Sequence, residues 1–104
     1  MSSIVEQRTY PRRRVMKGTK IAYGDFVFVQ DCAVRDLSPA GARVVVAAAL
    51  DLPEEFFLVF TTDRIMRKSR VKWRKTGEVG VVFEGDPHDY MKDNDPRFRQ
   101  FKHG

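Results

Sequence analysis

Two short patterns in the first half of the chain carry side chains suited to binding a nucleotide. The first, Arg8-Thr-Tyr-Pro-Arg12, sets two arginines four residues apart. Guanidinium groups are planar and always charged, so this pair can make bidentate contacts with phosphate oxygens or with the O6/N7 edge of guanine. The second, Asp36-Leu-Ser-Pro-Ala-Gly41, offers a carboxylate that can accept hydrogen bonds from guanine N1–H and N2–H₂. A ligand with two guanines and two phosphates would satisfy both patterns.

The two patterns differ in how often they are expected by chance, and therefore in how strongly each indicates a binding site. With 12 Arg in 104 residues, about one Arg-x-x-x-Arg is expected by chance, and a second one occurs at Arg70 and Arg74. By contrast, Asp-x-Ser-x-x-Gly would arise by chance in roughly two of a hundred chains of this composition. Ser38 adds a hydroxyl to the turn, and we expect Gly41 to permit a backbone conformation closed to other residues. A purely structural hairpin is the alternative interpretation of this turn.

Short runs of β-branched and aromatic residues, separated by turn residues, predict six strands after a polar start. They are expected at Val15–Tyr23, Val27–Leu37, Ala42–Ala48, Glu55–Thr61, Ile65–Lys75 and Val79–Glu84. Such spacing favours a barrel or a sandwich, and closure into a barrel removes exposed edges. Residues 1–14 are basic and without periodicity, which predicts a flexible basic N-terminal arm. Residues 15–104 are then expected to form the barrel with its C-terminal helical tail.

The fifth predicted strand has an apolar and a basic face. Alternation places Ile65, Ser69, Val71 and Trp73 on one face and Lys68, Arg70, Lys72 and Arg74 on the other. We expect Trp73 and most phenylalanines to fill the barrel. The basic face is interpreted either as a solvated surface that guards against aggregation or as a stripe for phosphates or an acidic partner.

The tail after Gly85 carries a helix-start signal. Asp95 can cap a helix with Pro96 at its first position, and Phe98 and Phe101 are then spaced to dock on the barrel. An earlier turn over residues 87–92, capped by Asp86, is the other expectation for this region.

Composition favours a small protein with an anionic partner. The net charge is +5 and the isoelectric point is near 9.7, although a basic surface can also simply aid solubility. Cys32 is the single cysteine, so no disulfide framework or cysteine zinc site is expected, which fits a cytoplasmic location. The longest apolar run, Val44–Leu50, is too short for a membrane span. His88 and His103 have neither metal-ligand spacing nor a nucleophile partner, so we expect no metal, no cofactor and no enzymatic activity.

Taken together, the motifs resemble those of the PilZ domain, a bacterial receptor family for cyclic di-GMP. RTYPR resembles its RxxxR arm, DLSPAG its (D/N)xSxxG turn, and VKWRKTGEVGVVFE its closing hairpin. The resemblance implies an all-β fold, a six-stranded antiparallel barrel with a short C-terminal helix. It implies a cyclic di-GMP site formed by Arg8, Arg12, Asp36, Ser38 and Gly41. Arg13 and Arg35 are additional candidates.

Two positions of the arm depart from the family pattern. Many members have Arg where this chain has Gln7 or Thr9. Because family members hold either one nucleotide or a stacked pair, this departure leaves the number of bound ligands open.

The leading functional hypothesis is a cyclic di-GMP receptor whose arm changes conformation on binding. It would signal through an unidentified effector protein, by resemblance one of motility or exopolysaccharide regulation. One alternative is a small basic barrel that binds nucleic acid through the arm and the basic face, which lacks convincing interleaved aromatic residues. Another is a PilZ-like adaptor that acts through protein contacts without nucleotide.

Overall fold

A computed structural model of the protein describes residues 16–102, which form six strands. They are β1 (Met16–Tyr23), β2 (Phe28–Leu37), β3 (Gly41–Val45), β4 (Glu55–Phe60), β5 (Ile65–Lys75) and β6 (Glu78–Asp89). The strands close into a barrel in the order β1-β2-β3-β6-β5-β4, and all neighbours are antiparallel. The predicted six-stranded antiparallel barrel is therefore confirmed, and each strand begins within one residue of its expected start.

Strand β6 continues five residues beyond its predicted end at Glu84 because its second half pairs with the start of β5. Ile65 pairs with Asp89, while Lys68 pairs with Glu84, so β6 carries a bulge between these pairs. Gly85 lies in that bulge with a φ of 75°. The turn expected over residues 87–92 is present only at its end, as a 3-10 helix (Tyr90–Lys92), and its predicted cap, Asp86, is wrong. Asp89 is the cap, and its carboxylate accepts a hydrogen bond from the Met91 amide.

The barrel interior is filled by alternate apolar residues of all six strands and of the loop between β3 and β4. Its fully buried members include Ile21, Val34, Val44, Leu58 and Val79. That loop contains a short 3-10 helix, Ala49–Asp51.

A second core lies outside the barrel, under the C-terminal tail. A 3-10 helix (Pro96–Phe98) leads into α1 (Arg99–Lys102), and Phe98 and Phe101 are buried against Val59 and Met66. Asp95 caps this segment as predicted, by accepting a hydrogen bond from the Arg97 amide. No helix within residues 16–102 is long and apolar enough to cross a membrane.

The turn between β1 and β2 sends Phe26 into this outer core rather than into the barrel. Phe26 has a φ of 68°, a costly conformation for a bulky residue. Its ring stacks on Phe57 and meets Phe98 edge-on, each with ring centroids 5.1 Å apart. These aromatic contacts offset the backbone strain.

A bulge in β5 overturns the predicted face of Trp73. Val71 pairs with Val81 and Trp73 pairs with Gly80, so Lys72 is an extra residue on β5. Beyond a bulge the alternation of faces is reversed. Trp73 therefore lies on the outer surface and is 40% exposed, instead of filling the core.

The same bulge turns Arg74 away from the predicted basic face. Its Nη1 donates hydrogen bonds to the carbonyl oxygens of Ala49 at 3.1 Å and Leu52 at 2.6 Å. Arg74 thus fastens the loop between β3 and β4 to β5.

Candidate functional site

The turn between β2 and β3 is held closed by its own hydrogen bonds and by β6. The Ser38 amide donates to the Gly41 carbonyl at 2.9 Å, and the Ala40 amide donates to Ser38 Oγ at 3.3 Å. The Phe83 amide of β6 donates to the Ala40 carbonyl at 2.8 Å. These contacts fix the backbone that carries Asp36 and Ser38.

The sequence predicted that Gly41 adopts a backbone conformation closed to other residues. The structure shows instead that glycine is required here because of close packing. It pairs with Val82 of β6, and it is absent from the positive-φ glycines of the described chain. A Cβ at this position would collide with the carbonyl oxygen of Val81. A larger residue would therefore push β3 away from β6 and open the turn.

Asp36 is held by an arginine that the sequence motifs did not single out. Arg43 of β3 donates from Nε to Asp36 Oδ2 at 2.6 Å, and its Nη1 lies 3.3 Å from both carboxylate oxygens of Glu78. The hydrogen bond to Asp36, and then those to Glu78, raise the pKa of the Arg43 guanidinium. The sequence contains one indication that Arg43 belongs to this site, because two-residue alternation places it on the same strand face as Gly41.

Trp73 lies on Gly80, the residue of β6 that pairs with Arg43. The indole occupies the space where a side chain at position 80 would start, so a Cβ on Gly80 would overlap it. Gly80 pairs with Trp73 on one side and with Arg43 on the other. A continuous row therefore runs across the outer surface from the indole to Arg43 and on to Asp36.

The row and the turn line one open cavity of about 510 Å³, which we call the β3 groove. Its lining includes Asp36, Ser38, Gly41, Arg43 and Trp73. The volume is in the range of small-ligand sites. The groove combines a carboxylate acceptor, a hydroxyl, a guanidinium and an aromatic face, a set suited to the edge and the plane of a nucleobase.

A family model of the PilZ domain matches residues 6–93 of the chain. The chain belongs to the PilZ domain family. No curated protein and no solved structure matches it significantly. PilZ domains are binding and adaptor domains rather than enzymes, and membership marks this chain in general terms as a cyclic di-GMP receptor domain.

The predicted site residues of this PilZ domain fall into three groups. Asp36, Ser38 and Gly41 lie together in the β3 groove. Arg35 is exposed on β2 and is not part of the groove lining. The predicted contacts of the arm, Arg8, Arg12 and Arg13, lie outside the described residues.

The two arginines of the predicted basic face of β5 are both paired with carboxylates. Arg70 is paired with Glu55 at 2.5 Å and with Glu84 at 2.7 Å. The hydrogen bond and the charge of Glu84, and to a smaller extent the charge of Glu55, raise the pKa of the Arg70 guanidinium. Arg74 is paired with Glu54 at 3.1 Å, in addition to its carbonyl contacts. Carboxylates therefore neutralise both arginines, and the attraction of this face for a phosphate backbone rests on the exposed Lys68 and Lys72.

A second cavity of the PilZ domain, about 520 Å³, lies beside the turn between β1 and β2. Its lining includes His88, Arg97 and Phe98. Arg97 forms ion pairs with Asp25 and Asp95, so its charge is already compensated within the protein. His88 Nε2 lies 2.8 Å from Asp93 Oδ2.

Neither the cysteine nor the potential metal ligands of the described residues form a reactive site. Burial raises the pKa of the Cys32 thiol to about 12, which keeps it protonated and unreactive at neutral pH. Within residues 16–102, no cluster of three or more His, Cys, Asp or Glu residues is arranged to hold a metal ion.

Proposed function

We propose that this protein is a cyclic di-GMP receptor that binds the nucleotide in the β3 groove. The observation that carries the proposal is that Asp36, Ser38 and Gly41 of the PilZ motif share one groove with an exposed indole, Trp73. The Asp36 carboxylate accepts hydrogen bonds from a guanine edge, Ser38 contributes its hydroxyl, and Trp73 offers a surface on which a guanine stacks.

The arm supplies the cations in this proposal. Arg8 and Arg12 bind the phosphates and a guanine face with bidentate contacts, and Arg13 adds attraction. Strand β1 starts at Met16, whose backbone pairs with Val34, two residues before Asp36. Arg12 lies four positions before Met16, a separation of up to about 14 Å when the chain is extended, so the arm can reach the groove.

Signalling follows from the change of the arm. A segment that is ordered by a charged ligand presents a new surface, and an effector protein that recognises this surface reads the bound state. The effector belongs to motility or exopolysaccharide machinery in this proposal, and the protein acts in the cytoplasm.

Calorimetric titration with cyclic di-GMP tests the binding site. Wild type should bind saturably at micromolar or tighter affinity, and Arg12→Ala should weaken binding about tenfold to hundredfold through the loss of charge-assisted contacts. Arg99→Ala, which removes an exposed arginine of α1, is the matched control and should bind as wild type does. Equal affinity in wild type and Arg12→Ala would contradict the assignment. Salt-sensitive binding of a short RNA without response to cyclic di-GMP would favour a nucleic-acid-binding barrel instead.

Limited trypsin digestion tests the change of the arm, since its arginines are cleavage sites. Cyclic di-GMP should slow cleavage within residues 8–14 of wild type. Asp36→Ala keeps every arginine of the arm but loses the carboxylate of the groove, and its cleavage rate should not respond to the nucleotide. Ligand-independent cleavage of a saturated wild-type protein would contradict the conformational switch.

A further inference from the structure

Arg43 has a central place in the β3 groove that no motif assigns to it. It lies on β3 and contacts a carboxylate on each neighbouring strand, Asp36 at the end of β2 and Glu78 at the start of β6. The bond to Asp36 is the shorter, 2.6 Å against 3.3 Å. The Arg43 side chain is 32% exposed and that of Asp36 is 41% exposed, so both can be reached from the groove.

The bond from Arg43 fixes an otherwise mobile acceptor. A carboxylate on a short side chain can rotate about two torsions, and χ2 of Asp has a broad preference. Arg43 Nε holds Oδ2, while the two contacts with Glu78 keep the guanidinium itself in place. Each carboxylate oxygen has more than one lone pair, so Asp36 keeps acceptor capacity for a ligand.

The charges of the cluster are matched within the protein. Arg43 contacts Asp36 and Glu78, and Glu78 also lies 3.8 Å from Lys75 Nζ, so two cations balance the two carboxylates. The remaining lone pairs of Asp36 can accept hydrogen bonds from the N–H donors of a base. Because Glu78 and Asp36 already engage Arg43, it is poorly placed to act as another phosphate clamp.

We propose that Arg43 is a positioning residue that gives the groove its specificity for guanine. It holds the Asp36 carboxylate where that group accepts from both N1–H and the exocyclic N2–H₂ of guanine. Hypoxanthine has N1–H but lacks the exocyclic amine, so it satisfies only part of this arrangement. The inference rests on the proposed function, since it concerns how the same groove selects its base.

The test compares two ligands in calorimetric titrations of the full chain. The probes are cyclic di-GMP and cyclic di-IMP, which differ only by the exocyclic amine of each base. Wild type should prefer cyclic di-GMP by about tenfold or more, because a site built to pair with a donor discriminates against the analogue that lacks it. Arg43→Ala should lower this preference to about threefold or less, mainly by weakening the binding of cyclic di-GMP.

Arg70→Ala is the matched control, because Arg70 is also held by two carboxylates from neighbouring strands, but outside the groove. It should keep the wild-type preference. Arg43→Lys retains the charge and the long stem, and it should give an intermediate preference. If thermal unfolding shows that Arg43→Ala does not fold, Arg43→Lys decides, and a preference equal to that of wild type would overturn the inference.

The outcomes separate this inference from the proposal beneath it. If wild type binds neither ligand, the proposed function falls, and the role of Arg43 falls with it. If wild type binds both ligands equally, or if the Arg43 variants keep the full preference, the proposed receptor stands and only the role of Arg43 is overturned.

Discussion

Gly41 lies where β3 passes closest to β6, and its missing side chain permits that approach. Gly41→Ala should lower the free energy of unfolding by about 1–3 kcal/mol, because the new methyl group forces the backbone of Val81 to shift. Chemical denaturation followed by circular dichroism measures this loss. Ala40→Ser adds one atom at an exposed position of the same turn and should change stability by less than about 0.5 kcal/mol. An unchanged denaturation midpoint in Gly41→Ala would refute the packing argument.

Trp73 is an exposed aromatic residue that lines the β3 groove. Because its indole lies outside the core, its replacement tests ligand binding rather than core packing. Trp73→Ala should weaken cyclic di-GMP binding about fivefold to hundredfold through the loss of base stacking, with only a small change in thermal stability. Phe28→Ala is the control, since Phe28 is 56% exposed but lies outside the groove. Calorimetry on both variants checks this expectation. Equal affinity in wild type and Trp73→Ala would place the ligand elsewhere.

At the scale of elements, the stability of the C-terminal tail depends on the ionised carboxylate of Asp95. Hydrogen bonds from the Arg97 side chain, and then from its backbone amide, lower the pKa of Asp95 to about 2. Because this lies below the unfolded value of about 4, ionised Asp95 stabilises the fold above pH 4, and the contribution disappears as the pH falls through 2.

Asp95→Asn tests this dependence, because Asn still caps a helix but cannot form the ion pair with Arg97. The variant should be less stable than wild type from pH 5 to 7, and the two proteins should converge as the pH approaches 2. Denaturation at each pH gives the difference directly. A gap that stays constant down to pH 2 would show that the charge of Asp95 has no part in holding the tail.

The elements also show which features a sequence can predict. Turn residues and alternation placed all six strand starts, because both signals are local. The faces of Trp73 and Arg74 were predicted wrongly because the bulge at Lys72 arises from pairing with β6, which periodicity within β5 does not reveal. Likewise, the turn motif predicts Asp36 and Ser38 as site residues, but the contact of Arg43 with Glu78 joins residues 35 positions apart and depends on the closed barrel.

At the scale of the whole molecule, charge is unevenly distributed along the chain. Four of the 19 basic residues and one of the 14 acidic residues lie in the first 14 positions, so residues 1–14 carry +3 of the net +5. In the described part, carboxylates pair with many of the cations, among them Arg43, Arg70 and Arg97. Attraction for an anionic ligand is therefore concentrated in the predicted arm.

Removal of residues 1–14 should separate folding from ligand binding. The closed barrel and the tail make their core contacts within residues 16–102, so the truncated chain should keep the circular dichroism spectrum and the cooperative unfolding of the full protein. Without Arg8 and Arg12, its affinity for cyclic di-GMP should fall by about a hundredfold or more. The affinity of the full chain should decrease as salt is raised, whereas residual binding by the truncated chain should respond less, since fewer cations meet the phosphates. A truncated protein that binds as tightly as the full chain would remove the arm from the site, and one that fails to fold would make the arm part of the barrel.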